Sequence, residues 1–130
     1  MSASTNNLRS PLGRARGLGS AKEGLHHWWA QRVTAIALVP LTLWFIISVV
    51  RMASGRTDFG YWIDSPINAA AFIAFIAVAF HHGAIGMQVV LEDYVSSHGT
   101  RIASVLLVKL VCYALAALAI VSTLIVCLGG

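Results

Sequence analysis

Two adjacent histidines and an acid–phenol pair stand in one short segment, HHGAIGMQVVLEDYV, at residues 81–95. Residues 67–91 contain no Asp, Glu, Lys or Arg, so both histidines lie within a long apolar run. If this run crosses a membrane as a helix, His82 lies roughly 14 Å from the nearer boundary. Ionisable side chains at such depth are costly and commonly functional. The alternative is a histidine whose hydrogen bonds a neighbouring helix satisfies.

The residues around His82 on a helix are small. Consecutive helical residues point about 100° apart, so His81 and His82 cannot both face one site. Gly86 shares the face of His82 one turn later, and Gly83 and Ala79 lie close by. Small residues beside a histidine leave room for a flat group such as haem, which imidazole ligates. They are equally typical of contact between two membrane helices.

A haem held by two histidines needs one ligand on each face of its iron. The other two long apolar segments, 33–50 and 110–130, contain no histidine. If His82 ligates a haem of this kind, the second histidine must therefore come from another polypeptide. The pattern indicates a subunit of a complex.

Asp93 and Tyr94 follow at the end of the same segment. Asp93 comes eleven residues after His82, about 20° beyond three full turns, and shares its face if the helix persists that far. A tyrosine hydroxyl can donate a hydrogen bond to a quinone carbonyl, and a carboxylate can orient it or relay protons. The alternative interpretation is an interfacial tyrosine beside an aspartate that closes the helix.

The composition of the chain predicts the helices that position these residues. The chain is 58% hydrophobic and 11% charged, whereas soluble domains carry about 25% charged residues. A membrane span needs about 20 apolar residues. We therefore predict an all-α integral membrane protein with three transmembrane helices, near residues 33–51, 67–92 and 102–128.

Charge and aromatic residues predict the organisation outside the spans. Residues 1–20 are predicted to be a flexible basic tail, and residues 21–32, with Trp28 and Trp29, an interfacial segment before a membrane domain over 33–130. The basic residues before the first span place the N-terminus in the cytoplasm, or in the matrix of a mitochondrion. Because membrane topology accounts for these basic residues, the net charge of +4 does not indicate a nucleic-acid partner, and none is expected.

Two blocks carry a resemblance to a known family. They are GLHHWWAQRVTAIAL at residues 24–38 and HHGAIGMQVVLEDYV at residues 81–95, the second with ten residues between a histidine and Asp-Tyr. With the three-span layout, they make the chain resemble the D-type hydrophobic membrane-anchor subunit of succinate dehydrogenase (complex II, succinate:quinone oxidoreductase). The likeness covers nearly the whole chain after the tail.

The resemblance implies a role for five residues. His82 matches the axial ligand of a haem b, whose iron takes its other histidine from a C-type anchor subunit. Tyr94 matches the tyrosine that binds ubiquinone, and Asp93 matches the acid beside it. Arg32 matches an arginine near the haem propionates and the quinone pocket, and His26 falls close to the same region.

The resemblance also implies partners and a location. A flavoprotein subunit would hold FAD, and an iron–sulfur subunit the clusters, since the two cysteines of this chain are too few for a cluster. The chain itself would have no catalytic residue. It would pass electrons from succinate oxidation, a step of the tricarboxylic acid cycle, to ubiquinone, as a multi-pass protein of the cell or mitochondrial inner membrane. The alternatives are a fumarate reductase anchor and a small structural or proton-handling membrane protein without haem.

Overall fold

The computed structural model describes residues 21–129, with side chains from residue 24 onward. The chain forms α1 (Ala21–Ala53), α2 (Phe59–Ile63), α3 (Pro66–Tyr94) and α4 (His98–Gly129). The predicted tail over residues 1–20 lies outside the described residues.

Three of the helices are long and apolar enough to cross a membrane. They are Gly24–Ala53 within α1, all of α3 and all of α4. The predicted all-α architecture with three transmembrane helices is confirmed. The helices extend beyond the predicted spans, and residues 21–32 form the first turns of α1. This stretch is rich in good helix formers and contains no proline, so no residue in it ends the helix.

Helix α3 is the centre of the fold. It packs against α1 on one side and α4 on the other, and α2 packs on its first turns. Its buried residues are Ile76, Ala84 and Ile85. Because the three long helices alternate in direction, the bundle has two distinct ends. The α2 end contains the last turns of α1, the whole of α2 and the first turns of α3. The α3–α4 end contains the first turns of α1 and the turn over residues 95–97.

The α2 end has an aromatic core of its own. The ring of Trp62 stacks on Trp44 at 5.4 Å between centroids and meets the edge of Phe72 at 5.7 Å. Asp58 caps α2 by accepting a hydrogen bond from the backbone N–H of Gly60 at 2.8 Å. These contacts hold the connection between α1 and α3 against the bundle.

Candidate functional site

The two histidines of α3 face different helices. The Nδ1 of His82 lies 2.9 Å from the hydroxyl oxygen of Thr34 in α1. The Nδ1 of His81 lies 3.0 Å from the hydroxyl of Tyr113 in α4. Both imidazoles are half-buried. The structure thus separates the two side chains, as the 100° step between helical neighbours requires.

The surface of α3 beside His82 is open within the described chain. A methyl group added at Gly83 or Gly86 would have no atom of another element within 4 Å. Gly86 lies one turn after His82 and is half-buried. A half-buried imidazole bordered by open small-residue surface fits a flat macrocycle, and it also fits the close approach of a partner helix.

Residues 24–129 contain no group of three His, Cys, Asp or Glu side chains that could hold a metal ion by themselves. A haem iron does not need such a cluster, because the macrocycle supplies its equatorial nitrogens and the protein supplies only axial ligands. The donor set around His82 is therefore compatible with one axial ligand from this chain.

Asp93 and Tyr94 lie at the α3–α4 end. Helix α3 continues to Tyr94, so the condition for Asp93 to share the face of His82 is met. The side chain of Tyr94 is 83% exposed, and Asp93 is exposed as well. Neither side chain has a hydrogen-bond partner in the described part of the chain. The carboxylate and the phenol are therefore free to contact a ligand or another subunit.

Arg32 and His26 lie on the first turns of α1. The guanidinium carbon of Arg32 sits 5.2 Å from the ring centroid of Trp28, in a cation–π contact. His26 is exposed. Arg32 precedes Thr34 by two residues, which is about 3 Å along the helix axis. Consecutive helical residues point about 100° apart, so Arg32 and Thr34 face different sides of α1.

The five predicted residues are not joined directly. No hydrogen bond or ion pair among residues 24–129 connects any two of His26, Arg32, His82, Asp93 and Tyr94. The structure links His82 to α1 through Thr34, a residue that sequence analysis did not single out, and likewise His81 to Tyr113. These contacts could have been suspected from the hydroxyl groups in the apolar spans, because each hydroxyl needs a hydrogen-bond acceptor inside the membrane.

Two hollows lie away from His82. A groove of about 590 Å³ at the α2 end is lined partly by Ser48, Arg51 and Asn68. A second hollow of about 450 Å³ at the α3–α4 end is lined by Glu92, Arg101 and their neighbours. Neither hollow includes any of the five predicted site residues.

Similarity to known proteins agrees with the sequence blocks. Residues 6–122 match the family described as succinate dehydrogenase/fumarate reductase transmembrane subunit. The chain is 36% identical over 107 residues to the succinate dehydrogenase hydrophobic membrane anchor subunit of Rickettsia bellii, covering 82% of this chain and 86% of that one.

A second relative is the subunit of the same name from Paracoccus denitrificans, 35% identical over 98 residues and covering 75% of each chain. A third is the succinate dehydrogenase membrane anchor subunit of Reclinomonas americana, 32% identical over 94 residues, or 69% of this chain and 78% of that one. No solved structure matches. The resemblance drawn from the two sequence blocks is confirmed, and the chain belongs to the family of succinate dehydrogenase and fumarate reductase transmembrane subunits, as a hydrophobic membrane anchor.

Proposed function

We propose that this chain is the D-type anchor of a succinate dehydrogenase, that it helps to bind haem b and ubiquinone, and that it passes electrons from succinate oxidation to the quinone pool. The observation that supports the proposal is the environment of His82. This histidine is half-buried in the middle of α3, tied to Thr34 through Nδ1 and bordered by open surface at Gly86. Membership of the family supports the same role.

The imidazole of His82 would hold the haem from this chain, and a histidine of a C-type anchor subunit would hold it from the other. When bound, the haem supplies a one-electron carrier within the membrane. Arg32 would pair with the haem propionates, since a guanidinium binds carboxylates through charge-assisted hydrogen bonds. His26 is exposed on the same turns of α1 and would lie near the same carboxylates.

Tyr94 and Asp93 would form part of the quinone pocket. The hydroxyl of Tyr94 would donate a hydrogen bond to a quinone carbonyl, and this bond strengthens as negative charge develops on that oxygen. The carboxylate of Asp93 would orient the tyrosine or relay a proton. The exposure of both side chains supports a role that other subunits complete.

The flavoprotein with FAD and the iron–sulfur subunit would cover the α3–α4 end. The basic residues before α1 favour an N-terminus in the cytoplasm or the mitochondrial matrix. The same rule places the α3–α4 end on that side of the inner membrane. Tyr94 would then lie where electrons arrive from the iron–sulfur subunit, and the rest of each helix would contact membrane lipid and the C-type anchor.

Separate His82→Ala and His81→Ala variants of the assembled complex test the haem assignment. We expect His82→Ala to lose the b-type reduced-minus-oxidised spectrum or to change its axial ligation, because one nitrogen ligand is removed. His81→Ala should keep the wild-type spectrum. The opposite pattern would assign the iron to His81, and a wild-type complex without haem absorbance would favour the haem-free, proton-handling alternative.

A fumarate reductase anchor is the second candidate, because the matching family includes transmembrane subunits of both enzymes. The two functions differ in the direction of electron flow. Comparing the rate of succinate-dependent quinone reduction with that of quinol-dependent fumarate reduction in the purified complex separates them.

A further inference from the structure

We infer that Thr34 is a positioning residue that holds His82 in the tautomer protonated at Nδ1, so that the lone pair of Nε2 is directed to the haem iron. The inference rests on the proposed haem ligation by His82. It adds Thr34 of α1 to the ligation of the haem iron, for which sequence analysis named only His82 in this chain.

The hydroxyl of Thr34 has three polar neighbours. Its oxygen lies 2.7 Å from the carbonyl oxygen of Ala30, 3.1 Å from that of Gln31 and 2.9 Å from Nδ1 of His82. A threonine hydroxyl has one proton to donate and two lone pairs to accept with. Carbonyl oxygens can only accept, so the hydroxyl of Thr34 donates its proton to the backbone of α1, at the shorter contact with Ala30.

The remaining contact must then be a hydrogen bond that His82 donates. If the hydroxyl instead donated to Nδ1, its oxygen would face the carbonyl oxygen of Ala30 at 2.7 Å with no proton between them. Two oxygen lone pairs at that distance repel each other. The arrangement of lower energy therefore has the imidazole protonated at Nδ1 and Thr34 as the acceptor.

This tautomer has a chemical consequence. In a neutral imidazole with its proton on Nδ1, the lone pair stands on Nε2. A hydrogen bond at the nitrogen that does not ligate fixes the orientation of the ring and raises its basicity as a ligand. Thr34 is itself fixed by its bond to the preceding turn of α1. Packing of α1 against α3 thus sets the direction of the imidazole.

His81 has a different partner. The hydroxyl of Tyr113 lies 3.0 Å from Nδ1 of His81, and no other hydrogen bond of this hydroxyl occurs among residues 24–129. It is therefore able to donate its proton to Nδ1, which places the proton of a neutral His81 on Nε2. Tyr113 thus provides a matched control, a second hydroxyl bonded to the adjacent histidine of the same helix.

The variants Thr34→Val and Thr34→Ala, made in the assembled complex, remove the hydroxyl. Loss of a partner of this kind typically weakens metal binding about 10-fold or more, so we expect haem content to fall when free haem is removed. A less basic imidazole destabilises ferric iron more than ferrous iron and raises the midpoint potential. If the affinity for ferric haem falls tenfold more than the affinity for ferrous haem, the midpoint potential rises by about 59 mV.

The readouts are haem content per complex, the midpoint potential by redox titration and the low-spin ferric EPR signal. Thr34→Ser should restore all three, and Tyr113→Phe should leave them unchanged. Wild-type haem content and potential in both Thr34→Val and Thr34→Ala would overturn the inference. A potential shift in Tyr113→Phe equal to that of Thr34→Val would overturn it too.

His82→Ala separates this inference from the proposed function. If His82→Ala keeps the wild-type spectrum, haem ligation by His82 is wrong and the inference about Thr34 is overturned with it. If His82→Ala loses the spectrum while the Thr34 variants match the wild type, the ligation stands and only the role of Thr34 is wrong. If one Thr34 variant fails to assemble, the other supplies the measurement.

Discussion

The two ends of the bundle differ in how far this chain completes them. At the α2 end, Trp62 is 7% exposed and Ile63 is 2% exposed. At the α3–α4 end, Trp28, Trp29 and Tyr94 are 50%, 55% and 83% exposed. One end has a core made by its own side chains, and the other presents aromatic and polar groups outward. The α2 end also exposes Tyr61 and a polar groove, so the contrast lies in its buried core, which has no counterpart in the described part of the α3–α4 end.

The physical cause lies in the two connections. The connection between α1 and α3 is long enough to fold back as α2, with Asp58 capping its start and Trp62 filling the space beside Trp44. The turn over residues 95–97 joins α3 to α4 directly. It is too short to cover the neighbouring helix ends, so the side chains there keep their exposure.

The largest effect is expected from Trp62→Ala at the α2 end. Truncating a buried aromatic residue typically costs about 3–5 kcal/mol of stability, and Trp62 contacts both Trp44 and Phe72. We expect a clear fall in the denaturation temperature of the purified complex in detergent. Tyr61→Ala is the control, because Tyr61 is 81% exposed and its loss should change stability by about 0.5 kcal/mol or less. Equal losses of stability in both variants would contradict the interpretation that Trp62 belongs to a buried core at the α2 end.

A smaller loss is expected from Asp58→Ala. The carboxylate accepts a hydrogen bond from the backbone N–H of Gly60 at 2.8 Å, and removing such a cap typically costs about 1 kcal/mol. The same denaturation measurement checks it. Ser65→Ala is the matched control, since Ser65 occupies the N-cap of α3 without a side-chain capping bond. If Ser65→Ala destabilises as much as Asp58→Ala, the cap is not what stabilises α2.

The smallest effect on free energy is expected from Tyr94→Phe, and it should appear in activity and not in stability. A hydrogen bond to a neutral partner is worth about 0.5–1.5 kcal/mol, so loss of the hydroxyl should slow quinone reduction roughly threefold or more. Because Tyr94 is 83% exposed, the denaturation temperature should stay at the wild-type value. The measurement is the ratio of succinate-dependent quinone reduction to reduction of an artificial acceptor that takes electrons before the quinone.

Asp93→Asn is a second test of the α3–α4 end. It should lower the ratio in the same direction if the carboxylate orients Tyr94 or relays protons. Trp62→Ala should leave the ratio unchanged in whatever complex survives, because it acts at the opposite end. A wild-type ratio in Tyr94→Phe would show that the hydroxyl is only an interfacial anchor.

The membrane class, the three spans and the family could all be predicted from the residues alone. Long runs without charge can be stable only in lipid, and the spacing of side chains on a helix follows from its 3.6-residue turn. The same periodicity showed that His81 and His82 point apart and that Asp93 shares the face of His82 as far as α3 extends. The quoted blocks at residues 24–38 and 81–95 were sufficient for the family, which the matches confirmed.

The neighbour that each side chain meets could not be predicted, because it depends on how the helices pack. Periodicity fixes angles within one helix, but it does not say which helix lies opposite a given face, and packing of α3 between α1 and α4 settles that. It brought Thr34 to His82 and Tyr113 to His81, across 48 and 32 residues of sequence. It also accounts for α2, whose Trp62 can pack against Trp44 and Phe72 only when α1 and α3 are adjacent.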